Sequence, residues 1–273
     1  LLAAGRVLSV DAGALAVPLT MTVAVLPDHL SEDSHEVYRR WQVMSAPDGS
    51  FAVHGDTPAL RLRLEPRSPE LFAETLIFDT GSTDLRLEVA EACRLAFTLP
   101  DVDAPLRRAL GLVITPLGPG GEPRAGARTY GSLDPDPATG LVETPPLPPG
   151  DLQLTLELGA DEERPLYETV QRLEPGEARD LGPLRLERTV FRYHVTLDPG
   201  PGVDPADVHL WAFTPGPDGE PLGAGFSDRD PDGDWHIFGL EPVTRVRLYH
   251  EDLPERVEHA LAEGENLLRV DLP

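Results

Sequence analysis

The sequence predicts an all-β chain of tandem sandwiches. Apolar and polar residues alternate along short runs, turn-forming residues interrupt those runs, and one order of turn and strand signals recurs three times. Alternation is clearest at Leu60-Arg61-Leu62-Arg63-Leu64, Leu85-Arg86-Leu87-Glu88-Val89, Leu152-Gln153-Leu154-Thr155-Leu156 and Leu268-Arg269-Val270-Asp271-Leu272. Every second side chain then lies on one face, the period that a half-buried antiparallel strand needs. The 30 prolines and 25 glycines are spread between such runs and leave little room for helices. Helix-period stretches fall only at Asp28 to Arg40 and at Leu253 to Glu263, both hemmed in by Pro and Gly.

The recurrence has three anchors. The first is a turn after an apolar strand: Gly118-Pro119-Gly120-Gly121-Glu122-Pro123 and Gly216-Pro217-Asp218-Gly219-Glu220-Pro221 agree at five of six positions. The second is a turn followed by a large or branched apolar residue, at Gly49/Phe51, Gly140/Val142 and Gly233/Trp235, with spacings of 91 and 93 residues between the glycines. The third is a glycine, read as a hairpin turn, ahead of a closing alternating strand, at Gly81, Gly176 and Gly264. Boundaries near Ala92/Cys93 and Arg188/Thr189 follow, giving repeats at 1–92, 93–188 and 189–273. About seven short strands in some 90 residues, with turn signals every 8–12, is the pattern of an immunoglobulin-like antiparallel β-sandwich. Linkers of a few residues predict a semi-rigid rod.

The third repeat carries a likeness to a known family. A Gly/Pro turn with Glu-Pro (Gly216 to Pro221) is followed by a small-residue strand (Gly223 to Ser227) and Asp-Gly-x-aromatic (Asp232 to Trp235). Gly239-Leu240 and an alternating strand (Val243 to Tyr249) complete it. This series resembles the carboxypeptidase-regulatory-like, prealbumin-like (transthyretin-like) domain family, moderately so in the second repeat (Gly118 to Leu158) and in the first only from Trp41 onward. The resemblance implies seven-stranded sandwiches in tandem arrays, which accompany enzymes, receptors and surface proteins and have no chemistry of their own.

Composition excludes several function classes. The 273 residues are 40% hydrophobic and 26% charged, enough apolar material for packed cores. Against 23 basic residues stand 47 acidic ones, a net charge of -24, which repels nucleic acid and anionic membranes. By repeat the charge is -7, -6 and -11. Every basic residue is Arg and Asn266 is the sole Asn. That removes lysine nucleophiles, Schiff bases, the P-loop lysine and Lys-Asn crosslinks. One cysteine, Cys93, forms no intrachain disulfide and reads as a strand-edge or core thiol. No apolar run is long enough for a bilayer-spanning helix.

Three constellations could carry chemistry. Asp228, Asp230, Asp232 and Asp234 in Asp-Arg-Asp-Pro-Asp-Gly-Asp match the opening of a calcium loop, where hard oxygens cluster and Gly makes the sharp turn. Gly239 stands where an EF-hand would supply Glu, so any calcium site here is irregular, and the competing reading is a solvated acidic hairpin. Asp79-Thr80-Gly81 looks like an aspartic-protease turn, yet no second copy exists, so a hydrolase would need Asp79 to pair across a homodimer. His29 and Glu32 have zinc-carboxypeptidase spacing, with only His35 or His54 as a third ligand and none of the parallel sheet of those enzymes.

Among the tryptophans, Trp235 reads as a core anchor, Trp211 as a strand residue of undetermined face, and Trp41 beside Tyr38 as the exposed contact. His194, His209 and His236 lie in strand-like runs and read as surface or core packing. The sequence thus predicts a non-catalytic spacer, adhesion or assembly module of an extracellular or cell-envelope protein. A protein or glycan partner is compatible with it; nucleic acid and membrane insertion are not. The alternative is a calcium-dependent glycan- or peptide-binding accessory module, and the distant one the Asp79 hydrolase.

Overall fold

The computed structural model describes residues 1–9, 18–26, 40–55, 61–124, 128–159, 164–200, 204, 207–215, 221–230, 233–249 and 257–270. Residues of the first repeat form β1 (Ala3–Ser9), β2 (Thr20–Leu26), β3 (Arg40–Met44), β4 (Ser50–Val53), β5 (Arg61–Arg67), β6 (Leu71–Phe72), β7 (Leu76–Asp79) and β8 (Leu85–Glu91). Two sheets result, ordered β4-β1-β8-β6 and β3-β2-β5-β7. The next stretch forms β9 (Arg94–Thr98), α1 (Ala104–Ala109), β10 (Leu110–Pro116), β11 (Thr129–Gly131), β12 (Val142–Glu143), β13 (Gly150–Leu158), β14 (Tyr167–Leu173) and β15 (Ala178–Pro183). Its sheets are β12-β9-β15 and β11-β10-β13-β14. The last comprises β16 (Phe191–Pro199), β17 (His209–Pro215), β18 (Pro221–Ala224), β19 (Phe226–Arg229), β20 (Trp235–Gly239), β21 (Arg245–Tyr249), β22 (Val257–Ala260) and β23 (Gly264–Val270). Its sheets are β19-β20-β16-β23 and β18-β17-β21-β22.

One plan is used three times. The first strand of each group (β1, β9, β16) runs antiparallel to a middle strand (β4, β12, β20) and parallel to the last (β8, β15, β23). The second strand (β2, β10, β17) lies between β3, β11 or β18 and β5, β13 or β21, which carry β7, β14 or β22 beyond them. The chain is therefore three tandem immunoglobulin-like β-sandwiches, antiparallel among the described residues apart from one parallel pair in each.

Period-2 alternation builds the interiors. Leu62 and Leu64 of β5, Leu87 and Val89 of β8, and Leu152, Leu154 and Leu156 of β13 are all buried. Leu268 of β23 lies inward while Leu267 is 71% exposed. The recurrent glycines sit where the backbone needs positive φ: 80°, 71° and 97° at Gly49, Gly140 and Gly233, and 98°, 73° and 93° at Gly81, Gly176 and Gly264. A Cβ is disfavoured at such angles. The second trio does not close hairpins, contrary to the sequence expectation. β7, β14 and β22 lie in one sheet of their sandwich and β8, β15 and β23 in the other, so each turn crosses between the layers.

Neither helix-period stretch is helical where it is described. Of residues 28–40 only Arg40 lies within the described residues, and it begins β3. In the second stretch, 253–263, Val257–Ala260 is β22, which pairs with β21 through Arg247↔Glu258 and Leu248↔Val257. A cross-strand ion pair from Glu258 to Arg247 and the sheet's hydrogen bonds outweigh a weak helical period. Conversely, α1 falls where the sequence shows no helical period. Asp103 caps it by accepting the Leu106 amide at 3.0 Å, and Pro105 stands in its first turn, a start signal followed by too few residues to show a period.

Candidate functional site

The acidic hairpin of the third sandwich joins β19 to β20, and its described carboxylates, Asp228, Asp230 and Asp234, are engaged within the protein. Asp230 Oδ1 accepts the Asp234 amide at 2.9 Å while Asp230 Oδ2 lies 3.1 Å from His236 Nε2. Asp234 Oδ2 lies 3.2 Å from His194 Nε2, and His194 Nδ1 meets Glu265. Asp228 accepts from Arg108 Nε at 2.7 Å. Asp232 lies outside the described residues. Among the described residues no group of three or more His, Cys, Asp and Glu is arranged to hold a metal ion.

Register brings the histidines together. His194 of β16 is the cross-strand partner of His236 of β20, and their rings stack at 4.9 Å and 20°. His236 stacks in turn on Phe238 at 6.5 Å. Contact with Glu265, and then the nearby Asp234, raises the His194 pKa above that of a free imidazole, against the opposing effect of burial. The sign of the pH effect follows. A raised folded-state pKa adds stability that is fully present below the unfolded value and is lost as pH rises through the folded one. Thermal unfolding is expected to show that contribution as a higher midpoint at pH near 6 than near 8.5, with the difference reduced in His194→Gln; an unchanged difference in that variant would contradict the assignment.

The same use of acid recurs in the other sandwiches. Asp48 accepts the Ser50 amide and hydroxyl at 3.0 and 2.6 Å. Asp136 accepts the amides of Ala138 and Thr139 at 3.0 and 2.8 Å. Hydrogen bonds to the ionised form lower the pKa of both. These carboxylates close the turns around Gly49 and Gly140 as Asp230 closes the one around Gly233.

The remaining candidates are placed as follows. Asp79 is exposed at the end of β7, where its carbonyl accepts from the Ser82 hydroxyl at 2.8 Å, and the Gly81 amide donates to the Leu2 carbonyl at 2.7 Å. That is an inter-sheet turn. His29, Glu32 and His35 lie outside the described residues, and His54 is exposed. Cys93 is fully buried, its thiol donates to the Glu174 carbonyl at 3.0 Å, and burial raises its pKa. Trp41, expected as an exposed contact, is instead half-buried against the first core, because β3 turns it inward; Tyr38 lies outside the described residues. Trp235 is half-buried against the third core. Trp211 stacks on Phe213 at 5.3 Å, with the Arg247 guanidinium over both rings.

Sequence reasoning does not reach the His194–His236 pair or the partners of the aspartates. The usable signal is the placement of each His between inward residues, Tyr193 and Val195 on one strand and Trp235 and Ile237 on the other, which sends both outward.

No family profile matches the sequence, and no curated protein matches it. Comparison with solved structures finds the Bacillus anthracis TIE protein at 12% identity and TM-score 0.26, over 99% of this chain and 50% of that one. The GBS52 minor pilin of Streptococcus agalactiae is 11% identical with TM-score 0.27, over 67% of this chain and 94% of that one. A streptococcal ancillary pilin is 10% identical with TM-score 0.25, over 98% of each chain. The chain thus spans half the length of the TIE protein it matches. Among the described residues no helix is long and apolar enough to cross a membrane.

Proposed function

We propose that this chain is a non-catalytic spacer, adhesion or assembly module of a bacterial envelope or secreted protein, with sandwich units at 1–92, 93–188 and 189–273. The observation that carries the reading is the threefold use of one sandwich plan, among whose described residues Asp48, Asp136, Asp230, His194 and His236 serve turns and ion pairs. A module of this kind presents outer sheet faces to a protein or glycan partner. Relation to the carboxypeptidase-regulatory-like family is part of the proposal and rests on the turn words of the third repeat.

Quenched peptide and glycan substrates test the reading. The full chain is expected to turn over neither, and cleavage abolished by Asp79→Ala would overturn it in favour of the hydrolase. Calcium tests the accessory-module alternative. Because Arg108, His236 and His194 already engage Asp228, Asp230 and Asp234, millimolar calcium against chelator is expected to leave the unfolding midpoint unchanged. A site with a dissociation constant tenfold below the calcium concentration would add about 1.4 kcal/mol; a rise of that size, lost in Asp230→Ala, would establish a calcium site.

A further inference from the structure

We infer that the two joints of this chain differ in kind: the second and third sandwiches are locked into one rigid body, and the first swings on a polar elbow at Ala92/Cys93. The inference goes beyond the proposed function, since it concerns the joints and holds whatever the chain binds.

The locked joint is apolar at its centre. Phe238 lies on β20 of the third sandwich, yet it is 3% exposed and belongs to the core cluster of the second, with Leu106 and Ala109 of α1. Phe226 of β19 and Leu240 pack against the same cluster. Gly159 permits the approach, since a Cβ there would come within 3.1 Å of the Phe226 ring. Around this contact stand three ion pairs across the joint: Arg108–Asp228 at 2.7 Å, Arg192–Asp103 at 2.7 Å and Arg164–Glu241 at 2.8 Å. Apolar burial supplies the attraction; the ion pairs are partly exposed on both sides and add little to it.

The elbow is made differently. Among the described residues, the core cluster of the first sandwich takes none from beyond Val89, and that of the second takes none before Cys93. Polar contacts between described residues cross it: Arg94 Nη2 to the Pro69 carbonyl at 2.6 Å, the Gly176 amide to the Glu91 carbonyl at 3.4 Å, and Arg124–Glu74 at 2.7 Å. The last pair is about half exposed on both sides, where ion pairs contribute little. Ala92 hydrogen-bonds back to Glu70 and Cys93 forward to Leu147, so bending concentrates in the backbone torsions on either side of the planar peptide bond that joins them.

Spin-label distance measurements on the full chain test this. Met44, Tyr130 and Leu267 are 66%, 62% and 71% exposed, and Cys93 is buried from the labelling reagent. With labels at Met44→Cys and Tyr130→Cys the distance distribution is expected to be broad; with Tyr130→Cys and Leu267→Cys it is expected to be narrow. Phe238→Ala should broaden the second distribution and leave the first unchanged. A Tyr249→Cys and Leu267→Cys pair reports whether the third sandwich stays folded in that variant; if it does not, Phe226→Ala, which also removes apolar contact at the joint, replaces it. Equal widths at the two joints, or a second distribution that stays narrow when the joint is substituted in a folded chain, would overturn the inference.

Discussion

Replacing Gly5 by valine is expected to destabilise the first sandwich strongly and leave the other two unaffected. Gly5 sits where β1 is paired on both sides, opposite Leu85 of parallel β8 and Phe51 of antiparallel β4. A Cβ there would lie 2.4 Å from the Leu85 carbonyl oxygen and 2.8 Å from the Phe51 ring. The first of these neighbours is backbone and cannot rotate away, so β1 must leave β8. Overpacking typically costs about 1–3 kcal/mol and occasionally more, and loss of the parallel pair puts this case at the upper end. For a domain of this size, about 3 kcal/mol lowers the midpoint by roughly 12–24 °C. Calorimetry of the full chain should show one transition moving down while the rest holds, because the first core shares no described residue with the second. Transitions that all move together would contradict a separate first core.

Phe238→Ala is expected to act on two sandwiches at once. Truncating a buried Phe to Ala costs about 3–5 kcal/mol, and Phe238 is carried by the third sandwich while packing in the second core. The transition shared by these two should fall, with that of the first unchanged. A drop confined to the third sandwich would show that the aromatic contact does not couple them.

How much is legible in the sequence follows from the range of each interaction. Turn glycines such as Gly49, Gly140 and Gly233 can be found because positive φ is a local demand. Strands such as β5 and β13 can be found because a buried face imposes period 2. The parallel closing pairs cannot: Tyr193 meets Gly264 across the length of a sandwich, and no local pattern encodes that meeting. Phe238 reads as an ordinary strand residue, since docking between sandwiches leaves no periodic trace. The candidate site is half legible. The acidic turn is visible, but its meaning depends on strand register, which sets His194 beside His236 and aims both at the aspartates.

Small-angle scattering from the full chain tests the central claim, sandwiches joined in series, most directly. A single compact globule of 273 residues would have a radius of gyration of about 19 Å. Three sandwiches in series predict a value well above that and a distance distribution with a long tail. A radius near that of the single globule, with a symmetric distribution, would contradict the account.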